Sequence, residues 1–334
     1  MGIADSSDER GQQRRDRTVL RKLVIIYAEN PDLYSQIAAR FPELEVEIYT
    51  CDHHFIRAVE DAEIIFMARK FSKEMLQGAK RLKWLHLAAT GIDRLLPLSD
   101  FSPELIITNS KGIRAEMISN YVICVILMLL WDFPRMMRNQ GQKVWRRWPV
   151  ARIEGKVLGI LGLGNIGQAI ARRAKSFGMV VTGTRRSMQP LDDKDLSSIP
   201  IKSKHDLLSA ADFVVLVVSL TPETQGMMGK QAFETMKESA YLINVSRGAV
   251  VQERELIAAL REKKIAGAVL DVTEQEPLPP ESELWSLENV IITPHISSSS
   301  TDSRERAAEL FCKNLYRYLR HEKMLNVIDR AKGY

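Results

Sequence analysis

Short apolar and β-branched runs alternate with longer, helix-like segments through the first third of the chain. The predicted strands are residues 23–27, 45–49, 64–67, 85–87 and 105–108, and the helix-like segments include residues 31–40 and 73–79. Short strands that alternate with helices predict a parallel sheet with both faces covered.

A second alternating series follows a long helical stretch at residues 115–137 and a tryptophan-rich segment that ends at Trp148. Its predicted strands are residues 157–161, 179–184, 213–218, 241–245, 266–270 and 290–293, and a last helix runs from residue 302 to about residue 321. Two such series predict two α/β domains, with chain crossings near residues 110–114 and 296–300 and the last helix returning to the first domain.

The composition is typical of a soluble globular protein, with 45% hydrophobic and 27% charged residues among 334. Residues 1–17 are polar and aperiodic, so we predict a disordered tail rather than a secretory signal. The longest apolar run, residues 121–131, is about half the length of a membrane-spanning helix, so we predict a buried helix and no membrane partner. The net charge of +5 comes with no nucleic-acid-binding motif, and we expect no nucleic-acid partner.

The three cysteines, Cys51, Cys124 and Cys312, are widely spaced and odd in number, which favours reduced thiols in a cytoplasmic protein. Cys51 begins the sequence Cys51-Asp52-His53-His54. Adjacent histidines do not easily face one ion, and no second ligand cluster follows at a suitable spacing. We therefore predict a loop there, and no metal.

A predicted strand, a glycine turn and an amphipathic helix follow one another in the middle of the chain. Gly162 allows a tight turn, Gly164 allows a pyrophosphate to approach the backbone, and Gly167 allows the helix to pack close to the strand. The N–H groups at the start of the helix, around Asn165 and Ile166, favour phosphate. A purely structural glycine turn is the alternative, but this context favours a Rossmann dinucleotide-binding unit.

The second strand of this unit ends in Arg185-Arg186, where an acidic residue would bind the adenosine ribose of NAD. Two guanidinium groups suit a 2′-phosphate, which they bind through charge-assisted hydrogen bonds. A solvated basic turn is the alternative, since surface arginines are common. The sequence therefore favours NADP, with NAD as the second choice.

Three side chains, Arg247, Glu276 and His295, follow predicted strand ends in the second series. Ligands of open α/β sheets bind beyond the carboxyl ends of the strands, so we expect the three to converge. Hydride transfer to a 2-oxo acid needs a cation for the carboxylate and a proton donor for the carbonyl oxygen, as arginine and histidine provide. A glutamate bonded to the imidazole keeps it oriented and protonated. Taken singly, each has a structural alternative: a turn residue, a solvated carboxylate and a core histidine.

At these residues the chain resembles the D-2-hydroxyacid dehydrogenase family, and the resemblance extends from about residue 23 to residue 334. The segments that carry it are residues 90–93, 161–167, 244–248, 270–272, 276–278 and 293–295. The resemblance implies that Arg247 holds the substrate, that His295 is the acid/base, and that Glu276 pairs with it. Asp271 is assigned to the cofactor site, and the backbone N–H groups of the loop at Ala89, Thr90 and Gly91 to the substrate carboxylate.

The resemblance also implies an architecture: a Rossmann nucleotide-binding domain, residues 114–296, inserted in a flavodoxin-like substrate domain, residues 18–113 and 297–334. Both are doubly wound α/β domains with parallel sheets, and members dimerise through the nucleotide domain and the long helices, here residues 115–148. Where many members carry a Glu-His pair in the long helix, this chain has Asn120-Tyr121.

The implied activity is transfer of a hydride from NADPH to a small 2-oxo acid, similar to glyoxylate or hydroxypyruvate, to give a D-2-hydroxy acid. One alternative is a phosphoglycerate-dehydrogenase-like enzyme, whose substrate phosphate would lie near the basic residues Arg69, Lys70 and Arg94. The other is a nucleotide-sensing binding protein without catalytic activity, because a fold alone does not fix function.

Overall fold

The computed structural model describes residues 21–27, 30–50, 57–69, 73–186, 191 and 193–330. The predicted tail at residues 1–17 lies outside these ranges, and so do Cys51-Asp52-His53-His54 and Lys70.

The first half of the chain forms a five-stranded parallel sheet. Its strands are β1 (Arg21–Ile26), β2 (Leu44–Tyr49), β3 (Ile64–Met67), β4 (Trp84–Leu87) and β5 (Ile106–Asn109), with helix α1 (Pro31–Arg40) between β1 and β2. The strand order β2-β1-β3-β4-β5 is that of flavodoxin-like sheets. β3 and β4 are buried along their whole length, as expected for a parallel sheet covered on both faces.

The second half forms a six-stranded parallel sheet with helices between its strands. The strands are β6 (Val157–Leu161), β7 (Val180–Thr184), β8 (Phe213–Leu216), β9 (Tyr241–Asn244), β10 (Gly267–Leu270) and β11 (Val290–Ile292). Their order is β11-β10-β9-β8-β6-β7, and Ile201 adds a parallel bridge to Gly183 on the outer side of β7. With that bridge counted as a strand, the order is that of a Rossmann sheet. The predicted α/β class with two parallel sheets is confirmed.

Helices at the start of the second half differ from the prediction of one helical stretch at residues 115–137. α2 (Ala115–Leu130) ends before α3 (Phe133–Gly141), and the two are bent by 62°. The break occurs because Asp132 has left-handed backbone (φ 54°) and its side chain accepts a hydrogen bond from the backbone N–H of Arg135, which caps α3. Among the described residues, no single helix is long and apolar enough to cross a bilayer, and α2 and α3 meet that criterion only together, across the bend.

Among the described residues, five α-helices follow α3: α4 (Asn165–Ser176), α5 (Lys204–Ala210), α6 (Lys230–Thr235), α7 (Glu253–Arg261) and α8 (Ser303–Leu319). α8 returns to the first sheet and packs beside α1. Its Phe311 stacks on Phe66 of β3 and Trp84 of β4, with ring centroids 4.3 and 5.1 Å apart. The chain therefore passes from the first sheet to the second and back, while the domain boundaries at 113/114 and 296/297 stay a prediction.

Candidate active site

The glycine turn connects the end of β6 to the start of α4. Gly162 has φ 110°, a conformation that side chains other than glycine rarely adopt, and a Cβ there would lie 2.8 Å from the carbonyl oxygen of Val217. A Cβ on Gly167 would overlap the carbonyl oxygen of Gly162, so glycine is required for the helix to approach the turn. At Gly164, by contrast, a Cβ would face open space. The turn is therefore tightly packed on its inner side and open where a ligand would approach.

A cavity of about 480 Å³ lies in front of this turn. Its lining includes Lys111, Gly112, Ala115, Glu116, Gly164, Asn165, Arg172 and Arg185. The first four come from the chain crossing and the start of α2. Gly164 and Asn165 lie at the N-terminus of α4, where N–H groups lack helical partners, Arg172 lies further along α4, and Arg185 follows β7. Of the other predicted cofactor residues, Gly162 and Gly167 shape the turn, and Ile166 packs against the apolar core of the second half.

The two arginines that follow β7 have different surroundings. Arg185 is half-buried and lines the cavity, whereas Arg186 is exposed. Outside the cavity lining, Glu223 accepts a hydrogen bond from Thr221, and this bond, with the nearby charge of Arg186, lowers the pKa of Glu223. Arg185 is thus the better placed of the two to reach a ligand in the cavity.

His295 and Glu276 form a hydrogen-bonded pair. Nδ1 of His295 and Oε2 of Glu276 are 2.8 Å apart, and both side chains are partly exposed, at 43% and 37%. Among the described residues, Nε2 of His295 has no hydrogen-bond partner. The pair therefore leaves the second ring nitrogen able to exchange a proton with a bound molecule.

The segment around His295 is held by Asp271, which is buried. The Asp271 carboxylate accepts hydrogen bonds from the backbone N–H groups of Ile296 (2.9 Å) and Ser297 (3.0 Å) and from the hydroxyl of Thr293 (2.6 Å). The backbone N–H of His295, a residue with φ 55°, donates to the Asp271 carbonyl oxygen. Asp271 therefore holds the residues before and after His295 in the chain. Its predicted contact with the cofactor stays a prediction.

Tyr121 of α2 extends this network, because its hydroxyl lies 2.7 Å from that of Thr293. Burial raises the pKa of Tyr121 to about 12, against the opposing effect of its hydrogen bond with Thr293. A neutral Tyr121 therefore links α2 to the His295 segment, a role that the sequence showed only as a departure from the family pattern.

Arg247 follows the end of β9 in a turn that Asn244 stabilises. The Asn244 side chain donates to the carbonyl oxygen of Arg247 and accepts from the backbone N–H and the hydroxyl of Ser246. The guanidinium of Arg247 is half-buried and donates to the carbonyl oxygen of Ser246 at 2.8 Å. The turn thus keeps a cation at the carboxyl end of the strand.

The loop at Ala89, Thr90 and Gly91 follows β4 in the first half. Its backbone is tied to the segment after β5: Asn109 Nδ2 donates to Thr90 O at 2.5 Å, and the N–H of Ser110 donates to Ala89 O at 3.1 Å. These bonds use the carbonyl oxygens of Thr90 and Ala89, and among the described residues the N–H groups of Ala89, Thr90 and Gly91 have no hydrogen-bond partner. Two carbonyl oxygens of the loop are therefore satisfied, and its N–H groups are available to bind an anion.

Comparison with known proteins identifies the family. Residues 123–297 match the model of the "D-isomer specific 2-hydroxyacid dehydrogenase, NAD binding domain". The chain is 34% identical over 304 residues to the glyoxylate reductase of Pyrococcus horikoshii, an alignment that covers 86% of this chain and 90% of that protein. The chain belongs to the D-isomer-specific 2-hydroxyacid dehydrogenase family. This dehydrogenase is accordingly an oxidoreductase with a nicotinamide-binding domain.

Solved structures agree with this assignment. A D-isomer specific 2-hydroxyacid dehydrogenase family protein from Aeromonas salmonicida is 32% identical, with a TM-score of 0.84 over 93% of this chain and 99% of that one. The NADPH-dependent glyoxylate/hydroxypyruvate reductase of Sinorhizobium meliloti, in complex with NADP and sulfate, is 25% identical, with a TM-score of 0.81 over 94% and 100%. The dehydrogenase therefore shares its whole two-sheet fold with these proteins.

The sequence did not indicate Arg114, a residue between the loop at Ala89, Thr90 and Gly91 and the His295 segment. Arg114, directly before α2, donates from Nη2 to the carbonyl oxygen of Ala88 (3.2 Å) and from Nη1 to the hydroxyl of Ser298 (3.3 Å). It therefore joins the start of the Ala88–Gly91 loop to the segment that follows His295. Its position at the predicted chain crossing was the only sequence signal.

The basic residues considered for a substrate phosphate lie elsewhere or outside the described ranges. Arg69 donates to the carbonyl oxygen of Thr50 at 3.3 Å, and Arg94 is exposed on a short 3-10 helix, Asp93–Leu95. Lys70 is outside the described residues. A phosphate site at these residues stays a prediction.

Proposed function

We propose that this dehydrogenase reduces small 2-oxo acids, of the glyoxylate and hydroxypyruvate type, to D-2-hydroxy acids with NADPH. The observation that carries the proposal is the His295–Glu276 pair, at the same sheet edge as Arg247 and as the glycine turn. The similarity to glyoxylate reductases supports the choice of substrate. A hydrogen-bonded acid/base pair has no evident use in a purely nucleotide-sensing protein, and this disfavours that alternative.

The acid/base pair, Arg247 and the loop at Ala89, Thr90 and Gly91 have separate roles in the proposed reaction. When bound, the nicotinamide cofactor supplies the hydride for C2 of the 2-oxo acid. His295 donates a proton from Nε2 to the carbonyl oxygen, while Glu276 holds the imidazole through Nδ1. Arg247 pairs with the substrate carboxylate, and the N–H groups of the loop at Ala89, Thr90 and Gly91 complete its hydrogen bonds.

The cofactor preference follows from the surroundings of Arg185. The open space at Gly164 and the N-terminus of α4 fit a pyrophosphate, and Arg185 in the same cavity fits a 2′-phosphate. NADP-bound relatives with this fold support the choice of NADP over NAD.

We also propose a homodimer formed through the helices at the start of the second half. Apolar side chains are exposed there, including Met137 at 64% and Trp145 at 96%, with Trp131, Phe133 and Val144 nearby in sequence. Large apolar groups clustered on a surface indicate an interface. The free thiols of Cys124 and Cys312 support a cytoplasmic location.

The experiment follows absorbance of NADPH, and separately of NADH, with glyoxylate, hydroxypyruvate, pyruvate and phenylpyruvate as substrates. We expect rapid NADPH oxidation with glyoxylate or hydroxypyruvate, and product analysis should give the D enantiomer wherever C2 becomes a stereocentre. Oxidation with NADH alone would contradict the cofactor choice, and absence of turnover with every pair despite cofactor binding would contradict the reductase.

A further inference from the structure

Arg114 is a half-buried cation in the junction between the two sheets. Its two hydrogen bonds, at 3.2 and 3.3 Å, are long for N–H···O bonds, and its Nε is buried with no hydrogen-bond partner. A buried guanidinium N–H that lacks an acceptor is costly in a folded protein. The Nε–H group of Arg114 is therefore a donor that has no acceptor among the described residues.

No described carboxylate balances this charge. Arg114 forms no ion pair with a described acidic residue, and the carboxylate oxygens of Asp271, which bind the segment next to Ser298, are taken by Thr293, Ile296 and Ser297. Burial lowers the pKa of Arg114, and the positive charge of Arg247 lowers it further. Two cations in one partly buried junction favour an anionic ligand.

A second unpartnered donor lies in the loop that Arg114 contacts. The hydroxyl of Thr90 is also buried without a hydrogen-bond partner, in the loop whose first carbonyl group, that of Ala88, binds Arg114. A carboxylate has two oxygens that accept about four hydrogen bonds, which Arg247 and the N–H groups of the loop can supply. Arg114 Nε and the Thr90 hydroxyl are therefore donors beyond those that one carboxylate requires.

The cofactor does not account for these donors. The cavity in front of the glycine turn is lined by Lys111, Gly112, Ala115 and Glu116 of the same chain crossing, and Arg114 is not part of its lining. Arg114 instead contacts Ala88 and Ser298, on the side of the substrate loop and of His295. These contacts place Arg114 on the side of the proposed substrate loop.

We propose that Arg114 binds a second anionic group of the substrate, so that the enzyme prefers 2-oxo acids with a distal carboxylate or phosphate ester over monoanionic ones. Arg247 holds the 1-carboxylate in the proposed function, on which this inference rests, and Arg114 with the Thr90 hydroxyl receives the distal group. Arg114 is then a residue that determines substrate specificity.

The test compares kcat/KM for matched pairs: oxaloacetate against pyruvate for the carboxylate, and phosphohydroxypyruvate against hydroxypyruvate for the phosphate. In the wild-type protein we expect the dianion of at least one pair to be favoured. Arg114→Gln should reduce that preference about 10- to 100-fold, the usual effect of losing a charged hydrogen bond. Arg114→Lys should restore part of it, and Arg254→Gln, an exposed arginine of α7, should leave it unchanged.

Equal efficiency for dianions and monoanions in the wild type, or an equal loss for both in Arg114→Gln, would overturn the proposal and leave Arg114 only as a link between the two halves. Calorimetry keeps this test independent of turnover: with NADP⁺ bound, D-malate should bind more tightly than D-lactate, and Arg114→Gln should abolish the difference. A wild type that reduces none of the 2-oxo acids would contradict the proposed function, whereas the binding difference alone decides the role of Arg114.

Discussion

Arg185 and Arg186 are neighbours in sequence with the same charge, and only their surroundings separate their roles. Arg185 lines the cavity of the glycine turn, and Arg186 is exposed near Glu223. A buried or half-buried cation contributes more to binding of a phosphate than an exposed one, because solvent and salt screen it less. We therefore propose that the cofactor preference depends on one side chain, that of Arg185.

Replacing Arg185 by aspartate should reverse this preference. The carboxylate repels a 2′-phosphate and accepts hydrogen bonds from the ribose hydroxyls of NAD. The ratio of kcat/KM for NADPH to that for NADH should fall by about 10- to 100-fold or more in Arg185→Asp. Arg186→Asp is the matched control and should change the ratio less; an equal ratio in Arg185→Asp and the wild type would remove Arg185 from the cofactor site.

Two histidines show how far sequence distinguishes a buried structural histidine from a candidate catalytic one. His86 of β4 is wholly buried, lies 2.7 Å from the Thr108 hydroxyl through Nδ1, and burial lowers its pKa to about 3. His295 is partly exposed and paired with Glu276. In the sequence, His86 lies within an apolar strand and His295 follows one. His295 was chosen only because Glu276 and Arg247 also follow strand ends in the same half of the chain.

At the scale of elements, strands were predicted well because burial on both faces gives a continuous apolar run. Each predicted strand agrees with the structure to within two residues at each end. Parallel topology predicted that Arg247, Glu276 and His295 would converge at one sheet edge; Glu276 and His295 are in contact there, and Arg247 follows the neighbouring strand β9. The break between α2 and α3 was missed because Asp132 and Pro134 lie inside an apolar stretch, where periodicity continues across the cap. The Tyr121–Thr293 contact was missed because it joins residues far apart in sequence.

The bent pair of α2 and α3 carries the prediction of a dimer. Trp145, which follows α3 and is 96% exposed, should become buried against a second copy. Sedimentation velocity should show a wild-type dimer at micromolar concentration and a shift towards monomer in Trp145→Ser. Trp285→Ser is the control and should leave the dimer intact, because this tryptophan is 55% exposed in the segment between β10 and β11, outside the proposed interface. A wild type that sediments as a monomer would contradict the interface.

At the scale of the whole molecule, the two halves supply different parts of the proposed reaction. The second sheet carries the glycine turn, Arg247 and the His295–Glu276 pair, and the first supplies the Ala88–Gly91 loop. Arg114 bridges them through Ala88 and Ser298. The candidate site therefore forms only when both sheets are folded and joined. Sequence motifs indicated its individual residues, but not the contacts between residues of the two halves.

The central claim is that His295 transfers the proton that accompanies the hydride. The most direct measurement is kcat for NADPH oxidation by His295→Ala, with the NADPH dissociation constant measured on the same preparation. The account predicts a loss of about 10²- to 10⁴-fold in kcat, the usual contribution of general acid–base catalysis, with little change in NADPH binding. A variant that binds NADPH and retains the wild-type kcat would contradict it and assign the proton to another group.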